Sequence, residues 1–592
     1  MKIKYLDGGR FYYAFIAGGN AVIDDRNYLN KINVFPVPDA DTGTNMASTM
    51  HSIAESTRFN RSLHATLRSI ADAALSGARG NSGLIFAQFI QGISDEIRSE
   101  KRISTKSFGE SVKKAVQHAY RAMVSPVEGT MLTVMRDWAD AVYQHRIKTA
   151  DFVELFSHSL QAAKKSLKNT PKKLSVLAKA GVVDAGAKGF VDFLEGIFQF
   201  ITGGRLKKVA RIRLQGQDLR SPIHSLKNGV QHRYCTEALL TGSEIDLESL
   251  RRLMKRFGDS AIAVGNETKA RLHLHTNKPA EFFKRVEDFG TIIQIKADDM
   301  QMQYEAAHKR KYKIALVTDS ACDLPADMFS KHQIHVVPFN LNFGKSLFLD
   351  RITLMADRFY SLLKTSKEHP TTSLPNIATI QNMLSFLATH YESIFVVSIS
   401  AKLSGTYESF CKAAKSMKEK KISVIDSRHL SVSQGLVVKR ILDAIREGKS
   451  HKEILAKTQE WVAKTRILVD IRTLKYMVRG GRVSPLKGFI ANILNLKPII
   501  VLDEEGKAVA HGKSFSRKSN MKKIVAKIAE MASQGKCWNY AIAHAQNRER
   551  ADEYADQLTS ILGKPPAFIS EVAPVVGVHN GIGVLGIGFM FE

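Results

Sequence analysis

The sequence predicts a multidomain protein in which a helical N-terminal domain precedes a small α+β domain and a C-terminal α/β domain. Residues 1–203 repeat apolar side chains at helical spacing, for example at Leu63 and Leu67. Residues 312–592 alternate short β-branched runs with helical patterns, which is typical of a parallel sheet covered by helices. At about 150 residues per domain, a chain of 592 residues can form about four structural units, each with its own core.

The middle domain is expected to cover residues 204–309. It opens with a basic segment, Gly203–Gly229, which we interpret as an interdomain connection. An amphipathic helix follows at Leu247–Phe257, and two apolar runs, Ala261–Val264 and Ala270–His275, predict strands on either side of a turn.

Four apolar runs predict the strands of the C-terminal sheet. They are Ile314–Val317, His335–Val337, Ile394–Ser398 and Ile422–Ile425. Ligands of parallel α/β sheets bind outside the carboxyl ends of the strands. Polar residues follow three of these runs, at Thr318–Ser320, Ser398–Ser400 and Asp426–Ser427.

The composition is strongly basic, with 86 Lys and Arg against 57 Asp and Glu and a formal net charge of +29. Such a charge favours nucleic acid, an anionic membrane surface or acidic ligands. Since neither zinc-finger spacing nor an aromatic-basic RNA-binding signature is present, we expect no nucleic acid partner. Four scattered cysteines and the lack of an apolar run of about 18 residues predict a cytoplasmic protein. The basic charge is compatible with peripheral contact at the inner membrane face, and the alternative is a solvated basic surface.

The segment Asn33–Met46 (NVFPVPDADTGTNM) contains the first candidate site. Two prolines favour an extended backbone, in which Asp39 and Asp41 face the same side. Paired carboxylates with nearby hydroxyl and amide oxygens, from Thr42 and Asn45, are the ligand type that Mg²⁺ prefers. The alternative is a helix-capping Asp-Thr-Gly turn without a metal.

Three further polar loops lie between helical segments. They are Gly77–Gly83 (GARGNSG), Pro126–Met131 (PVEGTM) and Gly181–Gly189 (GVVDAGAKG). The first has the flexibility of a loop that holds phosphate at a helix N-terminus, although a glycine-rich helix junction is the commoner explanation. Taken singly, each loop is a weak signal.

In this order, the four segments resemble the DhaL-type nucleotide-binding domain of dihydroxyacetone kinases, and still more the kinase component of the FakA fatty acid kinases. The resemblance implies an antiparallel helical barrel whose loops bind ATP and two Mg²⁺. Asp39 and Asp41 match the metal-binding carboxylates, Thr42 lies beside them, and Asn33 stands where DhaL has an aspartate. The implied nucleotide-binding positions are Asn45, Asn81, Ser82, Thr130, Met131 and Asp184.

A second candidate site lies in the middle domain. His273 and His275 would face one side of a strand, and a neighbouring strand could bring Cys235 to them. One cysteine and two histidines with an open fourth position suit Zn²⁺, whereas the alternative is a pair of strand-surface histidines. The YCTE and HxHTN segments resemble the metal site of the FakA middle domain, which favours zinc as a further cofactor.

Residues 312–592 resemble the DegV family, whose members bind long-chain fatty acids and serve as the FakB partner of FakA. The motifs that carry the resemblance are VTDSACDL, TTSLP, SAKLSGTY, RGGR, LKP and HNGIG. It implies two α/β lobes with an acyl tunnel between them. Carboxylate donors are expected at Thr372, Ser373, Ser400 and His579, and positive charge for a phosphate or a docking kinase at Arg482, Lys497 and Arg517.

These resemblances imply a fatty acid kinase and its acyl-binding partner in one chain, forming acyl phosphate from ATP and a bound long-chain fatty acid. We expect a homodimer and a downstream acyltransferase that receives the acyl phosphate. Two alternatives stay open. One is a dihydroxyacetone-type (glycerone) kinase, and the other is a non-catalytic fatty acid carrier or sensor regulated by nucleotide.

Overall fold

The structure is a computed structural model, and it describes residues 2–35, 41–97, 99–203, 230–417, 421–481, 497–514 and 516–592. The chain divides into two compact units, Met1–Tyr304 and Glu305–Glu592. The predicted interdomain connection at 204–229 lies outside the described residues.

Helices dominate the first two hundred residues. Their bounds are α1 (Gly8–Asp24), α2 (Arg26–Lys31), α3 (Thr42–Ser56), α4 (Leu63–Gly77), α5 (Gly80–Glu96), α6 (Thr105–Ala122), α7 (Met131–His145), α8 (Phe152–Lys168), α9 (Thr170–Lys173), α10 (Ser175–Ala180) and α11 (Ala185–Gly203). A short antiparallel pair, β1 (Leu6–Asp7) and β2 (Arg102–Ile103), joins the beginning of α1 to the segment before α6.

Eight of these helices form a closed ring in the order α1, α3, α4, α5, α6, α7, α8 and α11, with α11 packed back against α1. Aromatic side chains fill the interior; Phe15, Phe86 and Phe193 meet at centroid distances of 4.8–6.2 Å. Trp138 and Phe190 continue the cluster at 5.6 Å. The all-α barrel implied by the sequence resemblance is therefore the fold of this region.

A four-stranded antiparallel sheet with the order β4-β5-β3-β6 forms the middle of the chain. Its elements are β3 (Tyr234–Thr241), α12 (Leu247–Lys255), β4 (Gly258–Asn266), β5 (Lys269–Thr276), α13 (Pro279–Val286) and β6 (Thr291–Asp299). The predicted helix at Leu247–Phe257 and both predicted strands are present. Each strand is longer than its apolar run, because the hydrogen-bonded ladder extends into the polar flanks.

The barrel and the middle sheet share one core. Ile262 and Val264 of β4 belong to the same buried cluster as the barrel helices. The Gly265 N–H donates to Gln88 Oε1 of α5 at 2.9 Å, and this bond is buried. The middle sheet is therefore held against α5, the helix that begins at the GARGNSG segment.

The second unit contains two larger sheets and a three-stranded one. Its elements follow α14 (Met300–His308) and are β7 (Ile314–Asp319), α15 (Ala326–Lys331), β8 (Ile334–Val337), β9 (Asn340–Phe343), β10 (Ser346–Leu349), α16 (Ala356–Thr365), β11 (Thr371–Ser373), α17 (Ile377–His390), β12 (Ser393–Ser398), α18 (Thr406–Lys415), β13 (Lys421–Asp426), α19 (Ser431–Arg446), α20 (His451–Ala463), β14 (Thr465–Asp470), α21 (Lys475–Arg479), β15 (Lys497–Leu502), β16 (Ala508–Ser514), α22 (Arg517–Gln534), β17 (Cys537–His544), α23 (Arg548–Leu562), β18 (Ile569–Glu571), α24 (Pro574–Asn580) and β19 (Leu585–Phe591).

The four predicted strands form one parallel sheet, in the order β13-β12-β7-β8. The other large sheet, β16-β15-β14-β19-β17-β18, is antiparallel except for the β17–β18 pair. Each sheet has its own buried cluster, and α19 contacts strands of both. This is the two-lobed α/β arrangement that the sequence resemblance implies.

Asp323, which follows β7, joins the two lobes. Its buried carboxylate accepts from Ser431 Oγ at 2.5 Å and from the Ala573 N–H at 2.9 Å, and it pairs with Arg351. Arg351 and Ser431 both have positive φ angles, 62° and 55°. A buried charge must be met by several donors, and here the donors come from three separate segments.

Among the described residues, no helix is both long enough and apolar enough to cross a membrane. All four cysteines, Cys235, Cys322, Cys411 and Cys537, are free.

Gly18 provides a test of how the barrel closes. A Cβ added there would lie 2.6 Å from Phe193 Cδ2 and 2.7 Å from the Phe193 carbonyl oxygen of α11. We expect Gly18→Ala to reduce the free energy of unfolding by about 1–3 kcal/mol, because the two helices must separate. The measurements are the urea midpoint and hydrogen exchange of the α1 and α11 amides.

Gly19→Ala is the matched control, since a Cβ at Gly19 would meet Met50 Sδ at an ordinary 3.4 Å. Alanine has the better helix propensity by about 1 kcal/mol, so this variant should be neutral or stabilised. Equal effects of the two substitutions would contradict the proposed close packing of α1 on α11.

Candidate functional site

The predicted carboxylate loop leads into α3. Asp41 occupies the N-cap position of α3, yet its side chain makes no capping hydrogen bond. The capping alternative therefore does not describe the role of this carboxylate. Thr42, the next residue, and Asn33, eight residues earlier, are both buried, whereas Asp39 lies outside the described residues.

The beginning of α3 is fixed against α2. The Thr44 N–H donates to Asn30 Oδ1 at 3.0 Å, and Asn30 Nδ2 donates to Thr44 Oγ1 at 2.9 Å. Asn30 thereby satisfies one of the first N–H groups of the helix. This leaves the Asp41 side chain free of a capping role.

Glycines in the GARGNSG segment let it lie close to α3. Gly80 has a φ of +57°, and an added Cβ would collide with the Asn45 side chain. A Cβ at Gly83 would lie 2.7 Å from Thr49 Oγ1. The segment is thus a tight helix junction. It also brings a polar side chain, that of Asn45, to the start of α5.

Three of the predicted nucleotide loops meet at Gly186. A Cβ added to Gly186 would lie 2.9 Å from Ser82 Oγ, and 3.4 Å from both Asp184 Oδ1 and Met131 Cβ. These residues belong to the GARGNSG, PVEGTM and GVVDAGAKG loops. The structure therefore brings together residues that are about fifty positions apart in the sequence.

Asp184 holds two of these loops together. Its buried carboxylate accepts the Ala187 N–H at 2.8 Å, in the first turn of α11, and the backbone N–H of Met131, in the first turn of α7. Burial raises the pKa of Asp184 to about 6, against the lowering effect of these two donors. Asp184 is a structural anchor at the base of the loops.

The remaining predicted nucleotide residues differ in their surroundings. The Asn81 Oδ1 atom is buried and has no hydrogen-bond partner among the described residues, so it is an acceptor available to a ligand. Thr130 is the N-cap residue of α7, and its hydroxyl donates to the Val127 carbonyl oxygen at 2.7 Å.

The antiparallel register of β3 and β5 builds the second site. Cys235 lies opposite His275, and Glu237 lies opposite His273. Since side chains two residues apart share a face, these four side chains lie on one face of the sheet. The ligand atoms of Cys235, His273 and His275, which we call the metal square, lie within 4.8 Å of one another.

Each histidine of this square has a carboxylate at its Nδ1 atom. Glu237 Oε1 is 3.6 Å from His273 Nδ1, and Asp259 Oδ1 is 3.5 Å from His275 Nδ1. Carboxylates in this position orient metal-binding histidines and leave Nε2 for the metal. Both ring nitrogens of His273 are buried and have no hydrogen-bond partner among the described residues, and Nε2 is the one that faces away from the carboxylate.

The donor set fits Zn²⁺. One sulfur and two imidazole nitrogens are common zinc ligands. Burial lowers the pKa of His275, which favours the neutral imidazole that binds metal. Burial also raises the pKa of the Cys235 thiol well above its usual range, so the thiolate that binds zinc would form only with the metal.

The second unit contains the predicted acyl site. Thr372 Oγ1 of β11 lies 3.3 Å from His579 Nε2 of α24, so the structure brings together two of the four predicted carboxylate donors. Ser373 follows on the exposed part of β11. Ser400 is buried, and its hydroxyl donates to the Gly506 carbonyl oxygen at 2.8 Å.

The predicted cationic residues are placed only in part. Arg517 Nη2 donates to the carbonyl oxygen of Gly583 at 2.9 Å, and Gly583 is the last residue of the HNGIG segment that begins at His579. Arg550 lies beside it, since its guanidinium donates to the Arg517 carbonyl oxygen and to Asp470. Arg482 lies outside the described residues; Lys497 begins β15, and its side chain lies outside them as well.

Internal hydrogen bonds occupy the strand ends of the parallel sheet. Asp319 Oδ2 accepts the Ile399 N–H at 2.7 Å, which ties the end of β7 to the end of β12. Asp350 accepts from Ser320 Oγ at 2.6 Å and from the Val575 N–H at 3.4 Å. Burial raises the pKa of Asp319 to about 6 and that of Asp350 to about 7.

Comparison with known families assigns each part of the chain. Residues 36–199 match the family described as DAK2 domain. Residues 231–307 match the FakA-like middle domain of fatty acid kinase, and residues 313–592 match "Uncharacterised protein, DegV family".

The chain joins a DAK2 domain, a FakA-like middle domain and a DegV domain.

Similar curated proteins are themselves uncharacterized. One from Staphylococcus saprophyticus is 34% identical over 321 residues, which cover 52% of this chain and 58% of that protein. One from Staphylococcus epidermidis is 32% identical over 361 residues, or 57% of this chain and 65% of that protein. The chain thus spans less than two thirds of the length of these relatives.

Solved structures also resemble the chain over its DegV domain. A fatty acid binding DegV family protein from Streptococcus agalactiae is 26% identical with a TM-score of 0.45, over 48% of this chain and 99% of that chain. DegV, a fatty acid binding protein from Bacillus subtilis, is 28% identical with a TM-score of 0.44, over 48% of this chain and all of that chain.

Sequence reasoning missed the carboxylates behind the histidines of the middle domain. Glu237 is part of the YCTE segment, and its even spacing from Cys235 places both on one strand face. That spacing was an available signal for Glu237. Asp259 gave none, because the β4 ladder has an irregularity between Asp259 and Ile262 that shifts its register.

Zinc binding by the FakA-like middle domain can be measured directly. We expect the protein, after incubation with Zn²⁺ and gel filtration, to retain one zinc per chain. Cys235→Ser should lose most of it, because serine does not supply the thiolate. Elemental analysis by mass spectrometry gives the stoichiometry.

Cys411→Ser is the control for this measurement, because Cys411 is a free cysteine in α18 of the DegV domain. It should keep the wild-type zinc content. Equal zinc content in Cys235→Ser and the wild type would exclude the Cys235 cluster as the zinc site.

The buried Asp350 predicts a pH dependence for the DegV domain. Its folded-state pKa of about 7 exceeds the unfolded value of about 3.9, so its contribution to stability is largest at low pH and is lost as pH rises from about 4 to 7. Asp350→Asn keeps the shape and removes the titration. Between pH 5 and pH 7.5, its stability relative to the wild type should improve by about 2–3 kcal/mol.

Urea unfolding at the two pH values provides this comparison. Asp327→Asn, at an exposed position in the first turn of α15, should show no such change relative to the wild type. A pH-independent difference between Asp350→Asn and the wild type would contradict the prediction.

Proposed function

We propose that this protein phosphorylates a protein-bound long-chain fatty acid with ATP, giving acyl phosphate and ADP. The observation that carries the proposal is the presence, in one chain, of a DAK2 domain whose polar loops converge on Gly186 and a DegV domain with a Thr372–His579 pair. The FakA-like middle domain between them supports the same reaction.

In the kinase half, Asn33, Asp39 and Asp41 would hold Mg²⁺, with Thr42 beside them. Bound Mg²⁺ would neutralise charge on the ATP phosphates. Asn45, Asn81, Ser82, Thr130 and Met131 would line the nucleotide site, with Asp184 as the anchor beneath it. These residues would orient the γ-phosphate and exclude water, which is the main contribution of the protein in phosphoryl transfer.

In the DegV half, Thr372 and His579 would bind the fatty carboxylate, with Ser373 and Ser400 as further predicted contacts. A fatty carboxylate resembles a Glu side chain, whose pKa is about 4.3, and is ionised at pH 7. Its oxygen can therefore attack the γ-phosphorus without a general base, as the bond from that phosphorus to ADP breaks. Arg482, Lys497 and Arg517 would supply positive charge to the phosphate or to the docking kinase surface.

One chain also raises the effective concentration of the acyl group at the kinase, provided that the linker reaches. Transfer within a chain and transfer between the chains of a homodimer are both compatible with the proposal. The proposal has three further parts. Zinc would bind at Cys235, His273 and His275, and an acyltransferase would take the acyl phosphate. The basic protein would also make peripheral contact with the inner membrane face.

A trapping assay tests the function. The purified protein, ATP, Mg²⁺ and oleate are incubated with hydroxylamine, which converts an acyl phosphate into a stable hydroxamate. We expect hydroxamate only when oleate is present. Asp41→Asn should reduce its rate by at least about 100-fold, since the metal would lose a charged ligand.

Asp72→Asn is the matched control, because Asp72 is an exposed residue on α4 of the same barrel. It should retain the wild-type rate. Bound lipid without oleate-dependent hydroxamate would instead favour the non-catalytic carrier, and turnover of small triols in preference to oleate would favour a dihydroxyacetone-type kinase.

A further inference from the structure

Glu237 lies between the metal-binding square and the nucleotide domain. Its Oε1 atom accepts the backbone N–H of Gly80 at 2.9 Å, and this bond is buried. Gly80 is the first residue of α5 and part of the GARGNSG loop. A side chain of the middle domain therefore occupies the helix N-terminus on which the kinase half would hold phosphate.

The same carboxylate is also tied to the square. Its Oε1 atom is 3.6 Å from His273 Nδ1, and its Oε2 atom accepts from Arg271 Nη2 at 3.2 Å. Glu237, Arg271 and His273 are all buried, with exposed fractions of 4%, 6% and 3%. The Glu237 carboxylate is hydrogen-bonded to Gly80 and Arg271 and faces His273 at an ion-pair distance, so a change in the charge or position of His273 acts on the atom that holds Gly80.

The charge of Glu237 affects how well the N-terminus of α5 can bind phosphate. Negative charge on Glu237 at the N-terminus of α5 competes with an incoming phosphate for the helix dipole. A cation bound at His273 Nε2 makes the imidazole more positive, and because Nδ1 lies only 3.6 Å from Glu237 Oε1, this offsets part of that charge. A metal at the square should therefore strengthen nucleotide binding at the loop.

We propose that Glu237 is a positioning residue that couples the Cys235–His273–His275 metal square to the nucleotide loop, so that zinc and nucleotide bind cooperatively. This inference rests on the proposed function, since it assumes that nucleotide binds at the GARGNSG loop. Binding free energies are reciprocal, so the same factor applies to each ligand in the presence of the other.

Asp259, which lies beside the same square, provides a matched control. It stands behind His275 as Glu237 stands behind His273, with an Asp259 Oδ1 to His275 Nδ1 distance of 3.5 Å. Its side chain is 49% exposed, and its other ionic partner is His232 of the middle domain. Loss of Asp259 should weaken zinc binding about tenfold without affecting the link to α5.

The experiment compares nucleotide affinity of the full-length protein with and without zinc. Protein is loaded with Zn²⁺ or stripped by a chelator, and free metal is removed by gel filtration. The dissociation constant of a fluorescent, non-hydrolysable ATP analogue is then measured in Mg²⁺. Zinc should tighten binding at least about fivefold in the wild type, within the usual range for coupled sites.

The variants locate the coupling. In Glu237→Gln the zinc effect on nucleotide affinity should fall below about twofold, whereas Asp259→Asn, loaded with zinc, should keep the wild-type ratio. Circular dichroism checks that each form is folded, and the wild-type ratio tests the inference even if Glu237→Gln fails to fold.

Three results would overturn the inference while leaving the proposed phosphorylation of a fatty acid intact. They are equal nucleotide affinities of zinc-loaded and stripped wild type, an undiminished ratio in Glu237→Gln, and no zinc uptake by the wild type. A lack of nucleotide binding by both forms of the wild type would instead overturn the proposed function and the inference with it.

Discussion

Two buried carboxylates, Asp184 and Glu237, hold the polar segments of the first unit together. Each would be costly to bury without donors, so each draws backbone N–H groups from the first turns of helices. Asp184 takes those of Met131 and Ala187, and Glu237 takes that of Gly80. The positions of α5, α7 and α11, and therefore of the loops between them, depend on these contacts.

The DegV domain uses the same device between its lobes. Asp323 follows the first parallel strand and receives donors from Ser431 and Ala573, which belong to other segments of the unit. Arg351 supplies the opposite charge. Asp319, Asp323 and Asp350 thus make internal hydrogen bonds that fix the segments around the Thr372–His579 pair.

Local periodicity was enough to predict most helices and the parallel sheet, whereas the closed barrel and the two lobes were implied by the family resemblance. Apolar spacing of three and four marked the barrel helices, and four β-branched runs marked the parallel sheet. The antiparallel strands of the second lobe were not anticipated, since their runs interleave with glycine and polar residues, as in Leu585–Phe591. Strand alternation also predicted that His273 and His275 share a face. The register of β3 and β5 places Cys235 opposite His275.

Long-range hydrogen bonds were beyond sequence reasoning. Glu237 and Gly80 are 157 residues apart, and Ser400 and Gly506 are 106 apart, so no local pattern connects them. Ser400 illustrates the consequence, because the motif match gave no sign that its hydroxyl donates to the Gly506 carbonyl oxygen. The placement of Asp39 and Arg482 lies outside the described residues and stays a prediction.

The central claim is that a fatty carboxylate oxygen attacks ATP, and oxygen isotopes test it most directly. Oleate labelled with ¹⁸O in both carboxylate positions is incubated with the protein, ATP, Mg²⁺ and hydroxylamine. Hydroxylamine attacks the carbonyl carbon of an acyl phosphate and expels phosphate with the bridging oxygen. We predict released phosphate with one ¹⁸O atom, seen as a shifted ³¹P signal; unlabelled phosphate would show that water, not the fatty acid, receives the phosphoryl group.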